Sequence, residues 1–413
     1  MSWASIGPAA WLAAPAVVIW LGTLLAPWRA WSTRERIEPE PDAAGDTDLS
    51  DVTVLIPARN EADVIGVTLA ALQSQGSGLQ VVVVDDQSTD FTARIAASYP
   101  NTRVISGKPL PVGWAGKLWA LEQGRAEVRT PLTLLLDADI ELRPGLLAAL
   151  LQHKRRHDLA FVSLMADLRR ASFWDRLLLP AFVYYFKLLY PFALSNSRFR
   201  HVAAAAGGCV LVDSTALQSV GAFASLRGAL IDDCTLARQI KNGGYRTWIG
   251  LSRGVVSLRP YGSLGSIHDM VARSAFTQLH YSTLLLLLVT LVFAVAYWLP
   301  LALLFLPGAR LAAAAALLAM ALGYWPTLRY YRLSPLWLLL KPLGATLYLG
   351  MTWSSAIRYW RGVRSQWKGR VYSNHSQEIR ETWDLGGGGG RPPPPGGWVV
   401  GPPPHTPRTI NVK

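Results

Sequence analysis

Hydrophobic and polar positions divide the chain into an apolar beginning, an alternating middle and an apolar end. From about Ala9 to Trp28 the sequence is apolar, close to the ~20 residues that a membrane-spanning helix needs. No charge precedes this run, whereas Arg29, Arg34 and Arg36 follow it. The positive-inside rule therefore puts the N-terminus outside and the next segment in the cytoplasm. A cleaved signal peptide fits less well, because a basic n-region is missing and the apolar run is long. After an acidic, proline-containing linker (Glu38 to Asp51), β-branched runs at Val52–Pro57 and Gln80–Val84 end in polar turns, and Leu132–Leu136 ends in Asp-Ala-Asp. Helical stretches, Glu61–Gln75 and Lys117–Val128, lie between them. Strands alternating with helices predict a mostly parallel α/β sheet, with ligands at the carboxyl ends of its strands.

Beyond about Arg273 the chain turns apolar again, and Thr283–Pro307 and Leu311–Leu328 each have spanning length. Pro335–Trp353 is interrupted by Lys341 and Pro342. A crossing there would leave Arg358, Arg361, Arg364, Lys368 and Arg370 outside, so a re-entrant or interfacial course is expected. The stretch from Phe173 to Phe192 is aromatic-rich but carries Asp175, Arg176 and Lys187, which makes a full span costly. A helix lying in the bilayer interface fits it better, with a buried helix of the α/β domain as the alternative.

Composition sharpens this picture. The 413 residues are 51% hydrophobic and 16% charged, against about 25% charged in an ordinary soluble domain. The 17 Trp suit membrane–water boundaries. A formal charge of +13 favours phosphate-rich substrates or an acidic lipid surface, and in so apolar a chain nucleic acid is the least suitable partner. Cys209 and Cys234 are the only cysteines, too few for a disulfide framework or a cysteine zinc site.

The polar turns carry the chemistry. Ile56-Pro57-Ala58-Arg59-Asn60-Glu61 ends the first strand, where free backbone N–H groups can meet an anion or a base edge, or Asn60 can simply cap the helix. Asp85 and Asp86 end the second strand; two adjacent carboxylates repel, so an outside donor such as a base N–H or a ribose hydroxyl is expected. Asp137 and Asp139, two apart around an alanine at a strand end, can address one hard divalent cation bridging a diphosphate. Asp232 and Asp233 open a helix that closes at Gly243-Gly244; either one can cap it, or deprotonate an acceptor hydroxyl. Lys117, flanked by glycine, is placed to meet a phosphate or water. Gly207 and Gly208 precede a strand and allow close backbone approach to a ligand.

In this order, P-A-R-N-E, V-D-D-x-S-T-D, G-K-x-x-A, D-A-D and I-D-D before a helix resemble family 2 glycosyltransferases of the GT-A fold, over roughly residues 52–281. G-W-A-G-K-L-W-A, L-L-L-P-A-F-V-Y-Y-F-K-L-L-Y-P-F, A-A-A-A-G-G-C, R-G-A-L-I-D-D-C, S-L-R-P-Y and A-F-T-Q-L-H-Y-S look like the hopene-associated subfamily, from the N-terminal anchor to about Tyr372. The resemblance implies a nucleotide-diphosphate sugar, with UDP expected, held by Pro57, Arg59, Asn60, Glu61, Asp85, Asp86, Lys117 and Asp137. It implies that Asp86 contacts the uracil, that Asp139 with Asp137 holds Mg2+ or Mn2+, and that Asp233, with Asp232 beside it, is the base. Gly207, Gly208, Gln278 and His280 are expected on the acceptor side. Processive polysaccharide synthases carry Q-x-x-R-W where this chain has Thr277-Gln278-Leu279-His280-Tyr281, so a single inverting transfer to a lipid, plausibly a hopanoid, is favoured over a short-chain polysaccharide synthase or a non-catalytic scaffold.

The resulting organisation is an anchor over 1–30, a linker over 31–51, a catalytic α/β domain over 52–281 with an interfacial helix at 173–193, membrane segments over 282–355, a basic juxtamembrane segment over 356–385 and a disordered tail over 386–413. That is a multi-pass protein of a bacterial inner membrane, its catalytic domain in the cytoplasm and membrane lipids around it.

Overall fold

The computed structural model describes residues 8–367, apart from 44, 46, 228 and 230, together with 370–373 and 380–381. The tail over 386–413 lies outside the described residues. Strand β1 (Val52–Ala58) is buried at every position, which is why it reads as a continuous apolar run rather than an alternation. Its odd and even residues serve opposite layers. Val52, Val54 and Ile56 face one core with Val81, Val83, Leu134 and Leu136, while Leu55 faces the other with Val82, Val84 and Leu135.

Around β1 stand β2 (Gln80–Asp85), β3 (Thr102–Ser106), β4 (Leu132–Leu136), β5 (Ile140–Leu142), β6 (Phe161–Leu168), β7 (Cys209–Asp213) and β8 (Thr247–Ser257), in the order β3-β2-β1-β4-β7-β6-β8-β5. The expected mostly parallel sheet is in fact mixed. The β3-β2-β1-β4 half is parallel, as is β6 with β8, but β7 runs antiparallel to both β4 and β6, and β5 runs antiparallel to β8. The reversal has a local cause: the chain enters β7 at the site end, where Cys209 pairs with Leu136. The carboxyl ends of β1, β2 and β4 therefore meet the start of β7 at one rim.

The two helices expected between these strands are shorter than the sequence suggests, Ile65–Gln73 and Gly116–Arg125. The linker over 31–51 is not a free tether. Ile37 and Leu49 are buried, Ile37 N–H donates to Leu251, and Glu40 N–H donates to Gly145.

Phe173–Leu189 forms one helix opened by a capping box: Asp175 N–H donates to Ser172 Oγ at 3.1 Å, and Ser172 N–H to Asp175 at 2.9 Å. Asp175 and Lys187 are buried in protein, with Phe173 and Leu189 left exposed at the two ends. Most of this helix is thus wedged between the sheet domain and the C-terminal helices, closer to the buried alternative than to the interfacial one.

Among the described residues two helices are long and apolar enough to cross a membrane, Thr283–Leu303 and Arg310–Tyr330. The N-terminal apolar helix is shorter, Ala9–Leu25. It stops before Trp28 because Ala26 precedes a proline and turns extended, with ψ 128°. These helices interlock, with Trp20 Nε1–H donating to Ala296 O at 2.8 Å. Pro335–Trp353 is not one element but a short 3-10 turn, Pro335–Leu338, followed by a helix from Lys341 to Trp360. Lys341, the charge that interrupts the apolar pattern, is turned inward, its Nζ 4.0 Å, 4.1 Å and 4.4 Å from the rings of Tyr324, Tyr185 and Tyr184.

Candidate active site

The rim holds two groups of residues. At the β1 and β2 ends, Arg59 Nη1–H donates to Asp86 O at 2.7 Å, and Asp86 is almost wholly buried. The turn after β1 is tied to the turn after β2: Asn60 N–H donates to Ser88 Oγ, Glu61 N–H to Thr92 Oγ1, Ala62 N–H to Asp90, and Thr89 N–H to the Asn60 side chain. Those bonds use the N–H groups expected to meet a ligand, and they explain why the helix starts only at Ile65. Asn60 does not cap that helix; it sits at φ 52° and ties the two turns together. Asp85 is buried beside Asp86, one of its oxygens without a hydrogen-bond partner. Gly107 N–H donates to Asp85 O, and a Cβ at Gly107 would stand 2.8 Å from that oxygen.

The second group surrounds a cleft of about 400 Å³, open to solvent, whose lining includes Pro57, Lys117, Asp137, Gly207, Asp232 and Asp233. Lys117 Nζ lies 2.5 Å from Asp137 Oδ1. Burial alone would push the Lys117 ammonium down, but Asp137, Asp232 and Asp233 outweigh it and hold the group protonated, above the usual lysine range. Asp139 carries the opposite imbalance. Burial, then Asp137 and Glu61, push its carboxyl up to about 6 against the pull of Arg259 and Lys117.

Asp233 sits at the head of the Asp232–Asn242 helix, yet it is not a plain cap. Ile231 occupies the N-cap, with no side-chain cap bond. Instead Asp233 Oδ2 accepts from Gly207 N–H at 2.9 Å and Oδ1 from Cys234 N–H at 2.7 Å. Burial and neighbouring Asp232 push its carboxyl up to about 6, partly offset by those N–H groups and Lys117.

The glycines serve these carboxylates. Gly207 donates to Asp233, and Gly208 O accepts from Asp137 N–H at 3.1 Å. Gln278 accepts from the Tyr190 hydroxyl at 2.5 Å, whereas His280 is exposed at φ 51°. Arg259 and Tyr261 approach Asp139 from the end of β8 with no role assigned to them from sequence; the signal was Ser257-Leu258-Arg259-Pro260-Tyr261 following a strand. Leu258 N–H donates to Asp139 O at 2.8 Å, which fixes that approach.

Among the described residues no group of three or more His, Cys, Asp or Glu side chains converges as a metal cage. Asp137 and Asp139 nonetheless fit a divalent cation that takes its remaining ligands from diphosphate oxygens and water. Asp139, half-buried and pressed by two other carboxylates, is short of positive charge.

A half-parallel sheet that gathers acidic residues at the ends of β2 and β4 is a GT-A-like α/β fold. Residues 53–221 match the family model of Glycosyl transferase family 2; Asp232 and Asp233 lie beyond the match. The mannosyltransferase PcManGT from Pyrobaculum calidifontis, solved with GDP-Man and Mn2+, aligns over 85% of this chain and 98% of its own at a TM-score of 0.51 and 22% identity, which shows the fold. The 4,4'-diaponeurosporenoate glycosyltransferase of Staphylococcus aureus (strain USA300) is 39% identical over 89 residues, 22% of this chain. The chain spans about a quarter of the length of the curated relatives it matches, 24% of that protein.

Proposed function

We propose that the chain is a membrane-bound inverting glycosyltransferase that moves a sugar from a nucleotide-diphosphate sugar, UDP-linked in our reading, to the hydroxyl of a lipid. One observation carries this: Asp137 at the end of β4 and Asp233 at the head of its helix line one cleft with Lys117, and Asp139 lies near enough to feel both Asp137 and Lys117.

Arg59, Asn60, Glu61, Asp85 and Asp86 are the nucleotide side, with Asp86 toward the base. Asp137 and Asp139 would hold a divalent cation, which supplies positive charge to the leaving diphosphate. Lys117 stands where its ammonium can pass from Asp137 to that diphosphate. Asp233 is the general base. As the acceptor oxygen bonds to the anomeric carbon, the bond from that carbon to the diphosphate breaks and Asp233 takes the acceptor proton; one displacement inverts the centre. A carboxyl raised to about 6 is mostly ionised at neutral pH and more basic than a free carboxylate.

The lipid acceptor is supported by the molecule's apolar exterior. Leu284, Leu287, Leu288, Leu291, Leu311, Leu318 and Leu322 on the two long helices are exposed, as a bilayer contact requires. The relative named 4,4'-diaponeurosporenoate glycosyltransferase is in keeping with a lipid acceptor. A hopanoid is the particular acceptor we favour, on the sequence motifs alone.

The test uses the purified full chain in detergent with Mn2+, radiolabelled UDP- and GDP-sugars and a bacterial lipid extract rich in hopanoids. Label should enter the lipid phase from a UDP-sugar with wild type and not with Asp233→Asn. Label moving equally with both proteins would defeat the assignment of the base, and no lipid labelling from any donor would defeat the function.

A further inference from the structure

Tyr190 ends the Phe173–Leu189 helix as its C-cap residue, and nothing in the chemistry above uses it. Its ring packs with Phe186 at 5.1 Å and belongs to the apolar cluster that contains Cys234, the residue after the base. Its hydroxyl donates to Gln278 Oε1 at 2.5 Å, across 88 residues of sequence. Gln278 in turn closes a one-turn helix, Ala275–Gln278, directly ahead of the first long apolar helix. The two residues after Leu279, His280 and Tyr281, are both left-handed without being glycine, at φ 51° and 57°. Such a pair persists only where its surroundings hold it. Here Tyr281 stacks on Tyr359 at 4.4 Å, and its amide donates to Phe276 O.

Three environments therefore meet at one phenol. On one side is Cys234, the residue after the base, in the apolar cluster against which the Tyr190 ring packs. On another is Gln278, whose amide nitrogen has no bond in the structure among the described residues. On the third is Leu189, 47% exposed at the end of an apolar helix face. A polar group beside the base with apolar surface leading to it suits a molecule with one hydroxyl on a hydrocarbon body.

We propose that Tyr190 is a positioning residue for the acceptor: by holding Gln278 Oε1 it turns the Gln278 amide N–H toward the acceptor oxygen beside Asp233. The inference rests on the glycosyltransferase reading and deepens it. It assigns the acceptor subsite to the junction between the Phe173–Leu189 helix and the Ala275–Gln278 turn, and its ligand class to a hydroxyl-bearing lipid.

The experiment compares wild type, Tyr190→Phe, Gln278→Ala and the double variant as full chains in detergent, with the same labelled donors and lipid extract. Tyr190→Phe keeps the ring, so its thermal midpoint should match wild type. Loss of one positioning hydrogen bond should raise the half-saturating amount of lipid about 5- to 10-fold. Maximal transfer and acceptor-free donor hydrolysis should stay within about twofold of wild type. Gln278→Ala should give the same rise, and the double variant no further rise, because the two residues act as a unit. An unchanged lipid requirement in Tyr190→Phe, an equal fall in donor hydrolysis, or additive effects of the two changes would each overturn the proposal. Absence of transfer by wild type itself would instead overturn the glycosyltransferase reading.

Discussion

At the scale of single residues, the candidate site is a cluster of carboxylates with one ammonium inside it, and its pH behaviour follows from that crowding. Asp233 and Asp139 are both raised to about 6, chiefly by burial. In the proposed reaction both work as anions, so protonation removes activity. Turnover should be flat at neutral pH and fall below about pH 6, with a slope approaching two at low cation and one at saturating cation, because a bound cation keeps Asp139 ionised. Acid-limb slopes measured at two Mn2+ concentrations check this, and a limb near pH 4 would contradict both assignments. Asp139→Ala should abolish transfer while leaving the thermal midpoint unchanged or higher, since it relieves a buried like-charge cluster. Asp233→Asn should cost about 10²–10⁴-fold in rate with nucleotide binding retained, as titration with UDP can show. Asp139 stood out in the sequence because it follows an apolar run, and Asp233 because it opens a helix. The Asp137–Lys117 pair and Tyr190 did not. The first needs the fold to bring two turns together, and the second is a tyrosine in a run of aromatics, where spacing gives no hint of which hydroxyl finds a partner.

At the scale of elements, the strands were legible because apolar runs at β1, β2 and β4 carry their own boundaries. The sheet's mixed direction was not, since the reversal at β7 depends on where the preceding helix delivers the chain. The docking of the linker was not legible either, because it rests on two isolated apolar residues in an acidic stretch, Ile37 and Leu49. Gly145 tests that docking: it sits at φ +79°, and a Cβ there would lie 1.9 Å from Glu40 O, in the linker. Gly244 has a similar φ of +89° but open space around it. Gly244→Ala should therefore cost only the left-handed backbone penalty, about 1 kcal/mol. Gly145→Ala should cost clearly more, roughly 2–4 kcal/mol, because backbone must move as well. Denaturation of the two variants in the same detergent decides it; equal losses would mean the linker yields freely.

At the scale of the whole molecule, the question is how many times the chain crosses the bilayer. Trp20 against Ala296, and the packing of Ala13 with Leu303, Ala309 and Ala313, set the N-terminal helix alongside Thr283–Leu303 and Arg310–Tyr330 as one bundle. The helix Lys341–Trp360 is held from two sides: Trp298 Nε1–H donates to Thr346 at 2.8 Å and Trp353 Nε1–H to Thr290 at 3.0 Å from the bundle, and further partners come from segments ahead of it. Tyr348 Oη–H donates to Leu178 O at 2.8 Å, His268 meets Ser354 at 2.9 Å, and Arg358 pairs with Asp269 at 2.6 Å. Leu178, His268 and Asp269 precede Thr283, the start of the first long apolar helix, so the middle and last turns of Lys341–Trp360 are tied to the sheet domain's side of the chain as well as to the bundle. The exposed Leu336, Leu339 and Leu343 give it a face for one leaflet. Lys341, which would cost about 2.5–3.5 kcal/mol at the centre of an isolated span, is sheltered among tyrosine rings instead. We therefore expect three crossings, with Lys341–Trp360 lying along the inner interface and the basic residues after it in the cytoplasm, as the positive-inside rule favours. A reporter active only in the periplasm, fused after Tyr372, should be silent, and a reporter fluorescent only in the cytoplasm should be bright at the same junction. Strong periplasmic activity there would mean that this helix crosses after all, and that its contacts with Leu178 and Asp269 do not form in the membrane.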